Sequence, residues 1–455
     1  MWDSVFGMIG LLFKATWKAT AFTLNLIIDA FSSIASALGF KSIERRNASL
    51  RGVAELKSGQ QRVSELADSV GSAGKAVISG NDREYPSPWR DVVAARIVGR
   101  VAQSGTGVVV LHNGNEDLIA RIQELVPAGE LLIADSTARI HDPLRGLDVF
   151  ESVELLTGSG VGDGYSLDGE CKVYLEGLIR LCRFTRKSNP SLTWLAKASN
   201  LRFEKLRDTM AAKLGEGDKY ETCNELLVSG IAGRDKLRHF LNEAVRQLSD
   251  GLADPSLRER NRISFDLVFQ QKKVLLLDVR SIVNYPLGYG LLVNELNVAN
   301  YRHHRGFLVL DGLEIAECDA LLRKVVVRDG RLGVCLSMDD LFAKCKSKQE
   351  QLNALVSGSD CTVVFRHSSG DSAEAWQKTF GTYEKQELTT STTSGSMRPS
   401  PFVLFSGRNS SSSRIYTPKH EFRVKINEIQ NLEEGRVFVF GAGSTEIRHC
   451  FLADE

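Results

Sequence analysis

The hydrophobic positions of the chain form short continuous runs that alternate with stretches of helical spacing. Apolar runs at 76–80, 106–111 and 130–134 are each bounded by polar or glycine-containing segments. Between them, 89–102 and 115–125 carry apolar residues at the spacing of an amphipathic helix. Because strand and helix alternate in this order, the pattern predicts an α/β fold with a mostly parallel sheet flanked by helices.

The alternation stops between about 165 and 262, where helical patterns replace the strand signals. We therefore predict an all-alpha domain inserted into the sheet. Apolar runs return at 274–279 and 361–365, so the sheet is expected to resume after the insertion. From about 384 the chain is interpreted as β-rich, with its Ser/Thr-rich runs lying between strand-like pieces such as 421–426 and 436–441.

Residues 1–41 differ from the rest of the chain in being mainly apolar. The part from 19 to 40 is long enough to span a bilayer, although Asp29 near its centre would cost about 2.5–3.5 kcal/mol on insertion scales. Lys41 and the arginines just after it favour a cytoplasmic C-terminal side. Three interpretations stay open: a membrane-inserted span or hairpin, an interfacial or partner-binding helix, and a helix packed on its own domain.

Composition excludes few classes of function. The chain has 455 residues and a net charge of +1, so no global field attracts it to nucleic acid, and any contact with DNA would need a local site. Its eight cysteines form no CxxC pair, which indicates reduced core thiols in a cytosolic body rather than a zinc site or a disulfide framework.

Asp311 is the first candidate for chemistry. It follows the run Gly306-Phe307-Leu308-Val309-Leu310, which is typical of a buried parallel strand, and ligands bind at the carboxyl ends of such strands. In P-loop NTPases an aspartate at this place, the Walker B aspartate, helps to hold Mg²⁺. The plain alternative is a core strand that ends in a turn aspartate.

A Walker A loop should then follow the first strand, with the pattern G-x-x-x-x-G-K-[ST]. Gly80 and Ser87 fall on the pattern, but Tyr85 stands at the second glycine and Pro86 at the lysine. Proline donates no N–H and carries no charge, and a tyrosine side chain crowds a close approach by phosphate. We interpret the loop as one that has lost its phosphate contacts, or else the match at 80–87 is chance. Mg²⁺ would be held by Ser87 and Asp311 only if ATP binds.

The residue after Asp311 also departs from the pattern of an active ATPase. Gly312 follows the aspartate directly, where additional-strand P-loop ATPases usually carry a catalytic glutamate, so a water-activating base has no obvious source. A lysine from elsewhere in the chain, Lys272 or Lys273, would revive an active site. Arg331 is a candidate arginine finger for a neighbouring subunit's nucleotide, or else a surface arginine in an Asp-Gly-Arg turn.

The order of these segments resembles the TraD/TraG-type coupling ATPases of conjugation and type IV secretion, in the FtsK/HerA-like group. The likeness covers about 76–445, and each piece alone has low specificity. The pieces that carry it are Gly107–Leu118, Asp142-Pro143-Leu144, Ile263-Ser264-Phe265, Val293-Asn294-Glu295-Leu296, Arg331-Leu332-Gly333-Val334, Phe380-Gly381-Thr382, His420-Glu421-Phe422 and Leu432-Glu433-Glu434-Gly435.

The resemblance implies a RecA-like domain interrupted by an all-alpha domain, an N-terminal membrane anchor and assembly with other subunits. The expected segments are an apolar N-terminal segment over 1–41, a linker over 42–75 and the first half of the RecA-like domain over 76–164. The inserted all-alpha domain follows over 165–262, and the second half, with its β-rich end, covers 263–455. The departures from the family pattern fall where ATP chemistry occurs, at Tyr85, Pro86, Gly312 and Asp339, the last in a possible sensor position.

These observations favour a degenerate coupling ATPase that is not an enzyme and needs no cofactor. It would be a scaffold or substrate-recruiting subunit of a transfer or secretion machine, paired with an active ATPase at the cytoplasmic face of the inner membrane. Two alternatives stay open. One is an active DNA- or protein-translocating ATPase that uses Mg·ATP through an atypical loop, and the other is an unrelated α/β interaction protein.

Overall fold

A computed structural model describes most of the chain. The described residues are 23, 41–56, 61–81, 88–159, 167–283, 285–302, 305–313, 332–344, 349–396, 408–441, 444 and 446–453. Clustering of contacts divides the chain into two units, one built from 1–53 and 377–425 and the other from 54–376 and 426–455.

The strands and helices follow the alternation that the sequence predicts. The strands are β1 Val53–Glu55, β2 Gln61–Arg62, β3 Lys75–Ser79, β4 Gly107–His112, β5 Leu131–Ala134, β6 Val274–Asp278, β7 Gly306–Asp311, β8 Leu332–Met338, β9 Cys361–Val364, β10 Thr382–Ser396, β11 Arg408–Phe422, β12 Arg436–Phe440 and β13 Ile447–Ala453. The helices are α1 at 41–51, α2 Val63–Val70, α3 Trp89–Gln103, α4 Glu116–Leu125, α5 Val149–Ser159, α6 Gly169–Arg186, α7 Leu192–Asn200, α8 Phe203–Leu214, α9 Asp218–Ser229, α10 Arg234–Gln247, α11 Phe265–Gln271, α12 Arg280–Val283, α13 Pro286–Tyr301, α14 Leu341–Lys344, α15 Gln349–Ser357, α16 Gly370–Phe380 and α17 Ile426–Gln430.

The larger unit is organised around one mixed sheet, and the predicted fold class is confirmed. Its strands run in the order β1-β13-β12-β9-β3-β8-β7-β4-β6-β5, with β2 paired to β13. The seven strands from β9 to β5 are parallel to their neighbours, and β12 and β13 add antiparallel pairs at one side. Strand β8 lies between β3 and β7, so one additional strand separates Gly80 from Asp311.

The central strands are buried on both faces, which explains their continuous apolar runs. All six residues of β4 and of β7 are buried. On one face, alternate residues such as Val108 and Val309 pack in a cluster with α2, α3 and α4. Gly306 and Gly333 are close to the rings of Phe269 and Phe307, where a Cβ would lie 2.6 Å and 2.4 Å from ring carbons.

Helices fill the described chain between β5 and β6, from α5 to α11. The predicted strand at 274–279 is β6, and Phe265–Gln271 before it form helix α11, while Ile263 makes a single bridge to His141. The stretch 42–75, expected as a linker, contains α1, β1, β2 and α2. Helix α2 buries Val63 and Leu66 in the core of the larger unit.

The smaller unit contains α1 and the β10–β11 hairpin. Fifteen residue pairs join the two strands without a break, from Thr382↔Phe422 to Ser396↔Arg408. The Ser/Thr-rich runs therefore lie inside the strands, and their placement between strand-like pieces was wrong. Asn47 of α1 fixes the hairpin, because its amide donates to the Gln386 carbonyl at 2.9 Å and accepts from the Gln386 N–H at 2.9 Å.

Among the residues that the structure describes, no helix is long and apolar enough to cross a membrane. The predicted N-terminal segment 1–41 falls, except for Thr23 and Lys41, outside them.

Candidate functional site at the carboxyl edge of the sheet

The topology brings three of the predicted site residues to one edge of the sheet. Ser79, Met338 and Asp311 end parallel strands β3, β8 and β7, and the ladder pairs Ser79 with Met338 and Asp311 with Ser337. Gly80, Asp339 and Asp311 therefore all lie at the carboxyl ends of adjacent strands, the usual place for ligands in parallel sheets.

Asp311 is fully buried and its two carboxylate oxygens are held by different side chains. The amide Nδ2 of Asn115 donates to Oδ2 at 2.8 Å, and the Ser337 hydroxyl donates to Oδ1 at 2.7 Å. The same Asn115 amide also donates to Oδ1 of Asp91 at 2.9 Å. Its oxygen caps α4 by accepting from the Leu118 N–H at 3.2 Å, so a helix cap fixes the bridge between two buried carboxylates.

Arg90 places a positive charge among these carboxylates. It is the second residue of α3, its side chain is 0% exposed, and Nη1 donates to Oδ1 of Asp339. Its Nε lies 3.8 Å from Oδ1 of Asp91. Burial alone would lower the pKa of Arg90, but the carboxylates of Asp311, Asp339 and Asp91 raise it above the ordinary value. The guanidinium therefore stays charged and is a fixed cation of this site.

Helix α3 begins two residues after Ser87, the residue predicted to hold Mg²⁺ if ATP binds. In a P-loop the Mg²⁺-binding Ser/Thr stands at the beginning of the helix that follows the loop. Counting residues from Gly80 put that role on Ser87, whereas α3 begins at Trp89 after Pro88. By structure, the positions that open the helix are Trp89 and Arg90, and neither has a hydroxyl ligand for Mg²⁺.

Mg²⁺ does not fit this site while Arg90 occupies it. The ion would need open space beside Asp311 and oxygen ligands around it. Here a guanidinium lies among the carboxylates, and both Asp311 oxygens already accept hydrogen bonds. In the described part of the chain, no three His, Cys, Asp or Glu residues converge closely enough to hold a metal ion.

Gly80 has a packing role that explains it without phosphate. Its φ is +135°, and a Cβ added here would lie 2.5 Å from the Cβ of Phe365, just beyond strand β9. Its N–H donates to the Met338 carbonyl at 3.1 Å, and the Asn81 N–H donates to the Arg366 carbonyl at 3.0 Å. These first two N–H groups of the loop are therefore bonded to neighbouring backbone and do not point to an open phosphate cradle.

Among the described residues beside Asp311, neither Gly312 nor His112 is a solvent-accessible base. The N–H of Gly312 donates to the Ser337 carbonyl at 2.9 Å. His112 ends the neighbouring strand β4, opposite Asp311, and is 2% exposed. Burial lowers the pKa of His112, although Asp278 and Asp311 act to raise it. Its Nδ1 accepts from the Gly114 N–H at 3.2 Å, so the ring is a neutral, buried acceptor.

The two lysines considered as replacements lie at the wrong edge of the sheet. Lys272 ends α11 in the left-handed region, with φ 56°, and Lys273 directly precedes β6. The Lys273 carbonyl accepts from the N–H of Val108 near the start of β4, so both lysines are at the amino edge, and strands about 17 Å long separate them from Asp311. The other predicted residues, Tyr85, Pro86, Ser87 and Arg331, lie outside the described residues.

Sequence reasoning missed Arg90, Asp91, Asn115 and Ser337. The only local signal was a charged pair, Arg90-Asp91, at the start of a helix whose next residues are apolar. Asn115 is recognisable as a helix N-cap, but nothing local shows that it bridges to an aspartate 196 positions away.

Comparisons with known proteins find similarity to solved structures at low sequence identity. No protein-family model matches the chain, and no curated protein sequence matches it. The bacterial conjugative coupling protein TrwB, in a trigonal form with sulphate, is 15% identical over 91% of this chain and 92% of its own, with a TM-score of 0.48. TrwB with ADP and Mg²⁺ is 16% identical over the same shares, with a TM-score of 0.45.

VirB4 of Thermoanaerobacter pseudethanolicus is 12% identical over 84% of this chain and 89% of its own, with a TM-score of 0.41. TrwB is a conjugative coupling protein, the kind of protein that the sequence motifs resemble, and both neighbours are solved structures. At such identities and TM-scores they do not assign an activity, a ligand or a partner to this chain.

Proposed function

We propose that this chain is an ATPase-fold subunit that neither binds Mg·ATP at its sheet edge nor hydrolyses it, and that it serves as a scaffold or recruiting subunit. One observation carries the proposal. The fully buried Arg90 guanidinium lies among Asp311, Asp91 and Asp339, where a nucleotide-bound Mg²⁺ would have to lie.

The charges beside Arg90 also disfavour a polyphosphate. A P-loop presents free backbone N–H groups and a lysine to the β- and γ-phosphates. The described residues here present instead three carboxylates and two loop N–H groups that are already bonded. Phosphate would meet repulsion from these carboxylates, and the buried arginine cannot turn to it without giving up its ion pairs with Asp91 and Asp339.

The proposed setting is a conjugation or type IV secretion machine, and it comes from the motif resemblance. The inserted helices and the apolar segment 1–41 suit a subunit that works at the cytoplasmic face of the inner membrane. Because the chain is proposed not to hydrolyse ATP, an active ATPase of the same machine is the expected partner, with further subunits around it.

The test is titration calorimetry of the full chain with Mg·ATP, together with a phosphate-release assay. We expect no saturable heat at millimolar ATP and no release above buffer. Asp311→Asn is the matched variant, since asparagine keeps the size of the side chain and can still accept from Ser337. It should give the same flat titration as the wild type.

Saturable binding that disappears in Asp311→Asn would overturn the proposal and favour an active ATPase with an atypical loop. Binding that persists in the variant would mean that the nucleotide binds elsewhere on the chain. The sheet edge would then still be without a nucleotide, but the proposal that the chain works without ATP would be wrong.

A further inference from the structure

A pocket of about 170 Å³ lies in the larger unit, where the inserted helices meet the chain that leads into and out of them. Its walls come from the segment 139–143, the start of α7, and the end of α10 with the turn that follows. The lining is mainly apolar and includes Leu192, Leu248 and Leu252. An apolar cavity of about 150 Å³ is large enough to bind benzene, so this pocket has room for one small aromatic ring.

His141 forms part of the pocket wall, and two neighbours hold its ring in place. Its Nε2 lies 2.8 Å from Oε2 of Glu295 on α13, and both side chains are almost completely buried. The ring stacks on Phe265, with centroids 5.0 Å apart and an angle of 18° between the planes. The N–H of Phe265 donates to the other oxygen of Glu295 at 2.8 Å. One face and one nitrogen of the imidazole are therefore fixed by packing and hydrogen bonding.

The second ring nitrogen of His141 has no such neighbour. Among the described residues, no group makes a hydrogen bond to the buried Nδ1. Buried polar atoms in folded proteins are nearly always hydrogen-bonded, so one without a protein partner calls for an explanation such as a bound molecule. Glu295 cannot supply the missing bond, because it already contacts Nε2 at another corner of the ring. The pocket against which the ring lies is the place where a partner for Nδ1 can bind.

We propose that this pocket binds a small aromatic molecule that carries one hydroxyl group. The aromatic ring would pack against the leucines, and the hydroxyl would form a hydrogen bond with Nδ1 of His141. A hydroxyl suits this nitrogen in any protonation state of the ring, because it donates to a bare Nδ1 and accepts from a protonated one. His141 would be the specificity-determining residue, and Glu295 would be the positioning residue that orients its ring.

A molecule in this pocket would join the inserted helices to the sheet. On one side it would contact α7 and the end of α10. On the other side it would contact His141, whose carbonyl accepts from the Ala253 N–H at 2.7 Å and whose ring is bonded to α13 through Glu295. The ligand would thus stabilise the junction of the insertion with the rest of the larger unit. This inference uses neither the sheet edge nor a nucleotide, so it can fail while the proposed function stands.

The experiment measures ligand binding to the full chain by fluorine NMR of the ligand. The two probes are 4-fluorophenol and 4-fluorotoluene, which have nearly the same shape and differ in the hydroxyl group. We expect the wild type to bind 4-fluorophenol at one site, at least about fivefold more tightly than 4-fluorotoluene, which corresponds to one additional hydrogen bond.

Two variants test the residues of the site. Glutamine is long enough to donate to Glu295 but has no nitrogen at the place of Nδ1, so His141→Gln should remove the preference for 4-fluorophenol. Ser249 lines the pocket and is exposed, so Ser249→Phe should fill the pocket and abolish the binding of both probes. Ser256→Phe is the matched control, because Ser256 is a nearby exposed serine that does not line the pocket. It should bind as the wild type does.

Equal affinity of the wild type for the two probes would overturn the proposal, as would a preference for 4-fluorophenol that survives in His141→Gln. Binding of 4-fluorophenol that is unchanged in Ser249→Phe would place the molecule elsewhere and would also overturn it. If His141→Gln does not fold, hydrogen–deuterium exchange of the wild type decides. 4-Fluorophenol should slow exchange at the start of α7 and the end of α10 more than 4-fluorotoluene does. Protection confined to other segments, or no protection, would contradict the assigned site.

Discussion

Two arginines in this molecule each contact several carboxylates, yet they have different consequences. Arg302 follows α13 and is 23% exposed. It donates from Nε to Glu151 at 2.5 Å, from Nη1 to Asp266 at 2.8 Å and from Nη1 to the Gly146 carbonyl at 3.0 Å. These contacts join α5 and α11 to the end of α13. Arg90 is completely buried and contacts aspartates at the carboxyl edge of the sheet.

The difference shows that location, more than the ion pairing itself, decides what such a cluster indicates. The Glu151 hydrogen bond raises the pKa of Arg302 and Asp266 adds to it, against the effect of burial. Arg302 thus ties helices α5, α11 and α13 together. Arg90 makes comparable pairs at a place where P-loop proteins hold Mg²⁺, so its presence bears on chemistry as well as on stability.

The largest expected effect is the difference in stability lost when each of the two arginines is replaced by alanine. Arg90→Ala should lower the free energy of unfolding by about 3–5 kcal/mol in metal-free buffer, because it leaves buried carboxylates without their cation. Arg302→Ala should cost about 1.5–3 kcal/mol, since Asp266 is buried but Glu151 is 22% exposed and can regain water. Urea denaturation followed by circular dichroism measures both.

Equal costs for the two alanine variants would contradict the comparison. The control is Arg90→Lys, which keeps the charge but not the planar fork. It should lie between wild type and Arg90→Ala, because an ammonium can pair with Asp339 but cannot also reach the other carboxylates in the same way.

Gly80 tests whether the loop glycine serves packing. Gly80→Ala places a Cβ 2.5 Å from that of Phe365 and 2.8 Å from its carbonyl carbon at φ +135°. Backbone atoms cannot move aside easily, so we expect a loss of about 2–4 kcal/mol from overpacking and strain together. Gly71→Ala is the matched control, as its φ is +64° and nothing lies within 4 Å of the added Cβ. It should cost about 1 kcal/mol.

Urea denaturation of both glycine variants gives the answer. A Gly80→Ala protein as stable as Gly71→Ala would mean that the close approach of Phe365 is not a constraint, and the glycine would then need a different explanation, such as phosphate binding.

At the end of β3, the Ser79 hydroxyl makes its hydrogen bonds without a charged partner, in contrast to Arg90. The buried Ser79 hydroxyl accepts from the Leu341 N–H at 3.3 Å and lies 3.3 Å from Nε2 of His367. Nδ1 of His367 is 3.9 Å from Oδ1 of Asp340. Burial lowers the pKa of His367 to about 4, although Asp340 acts to raise it. The neutral ring is thus the form that fits the folded protein.

The lowered pKa of His367 therefore predicts that the protein loses stability as the pH falls. Its folded pKa lies below the unfolded value of about 6.5, so the unfolded chain binds the proton first as the pH falls. Stability should drop by about 2–3 kcal/mol between about pH 6.5 and pH 4 and change no further from this group below that. His367→Gln keeps hydrogen-bonding atoms without the titration.

The difference between wild type and His367→Gln, measured by urea denaturation at several pH values, isolates this contribution from the carboxylates. A constant difference across the range would show that His367 titrates alike in the folded and unfolded chains. Arg90 should give no such dependence, because a guanidinium does not titrate there.

The parts of the fold that were predictable from sequence are those with a local signal. Strands β4 and β7 were located within a residue or so because strands buried on both faces read as continuous apolar runs. The hairpin of β10 and β11 was misjudged because Ser and Thr favour turns as well as strands. Its regular pairing follows from long-range contacts that composition does not reveal.

The residues of the candidate site also divide into those with a local sequence signal and those without one. Asp311 was placed correctly at the carboxyl end of a buried strand because its strand has a local signal, whereas the altered loop at Tyr85 and Pro86 stays a prediction. Arg90 was missed because a count from Gly80 assumed a loop of standard length, whereas α3 begins two residues after Ser87. Asn115 and Ser337 were missed because only the sheet order brings them to Asp311.

The smallest effect belongs to an exposed charge. Asp168 caps α6 by accepting from the Cys171 N–H at 3.0 Å, and Lys236 lies 3.2 Å away. The Cys171 N–H, more than Lys236, lowers the pKa of Asp168 to about 2. Asp168→Ala should cost about 1 kcal/mol at pH 7, and this contribution should fade as the pH drops from about 4 to about 2, where the folded carboxylate takes up its proton.

Asp168→Asn separates the cap from the ion pair. An asparagine caps a helix as well as an aspartate does, so most of the stability should remain at pH 7 and its acid dependence should vanish. The Lys236 pair, with side chains 48% and 52% exposed, is then worth only a few tenths of a kcal/mol. If Asp168→Asn lost as much as Asp168→Ala, the charge would matter more than the cap, and an exposed pair would rival the buried cluster around Arg90.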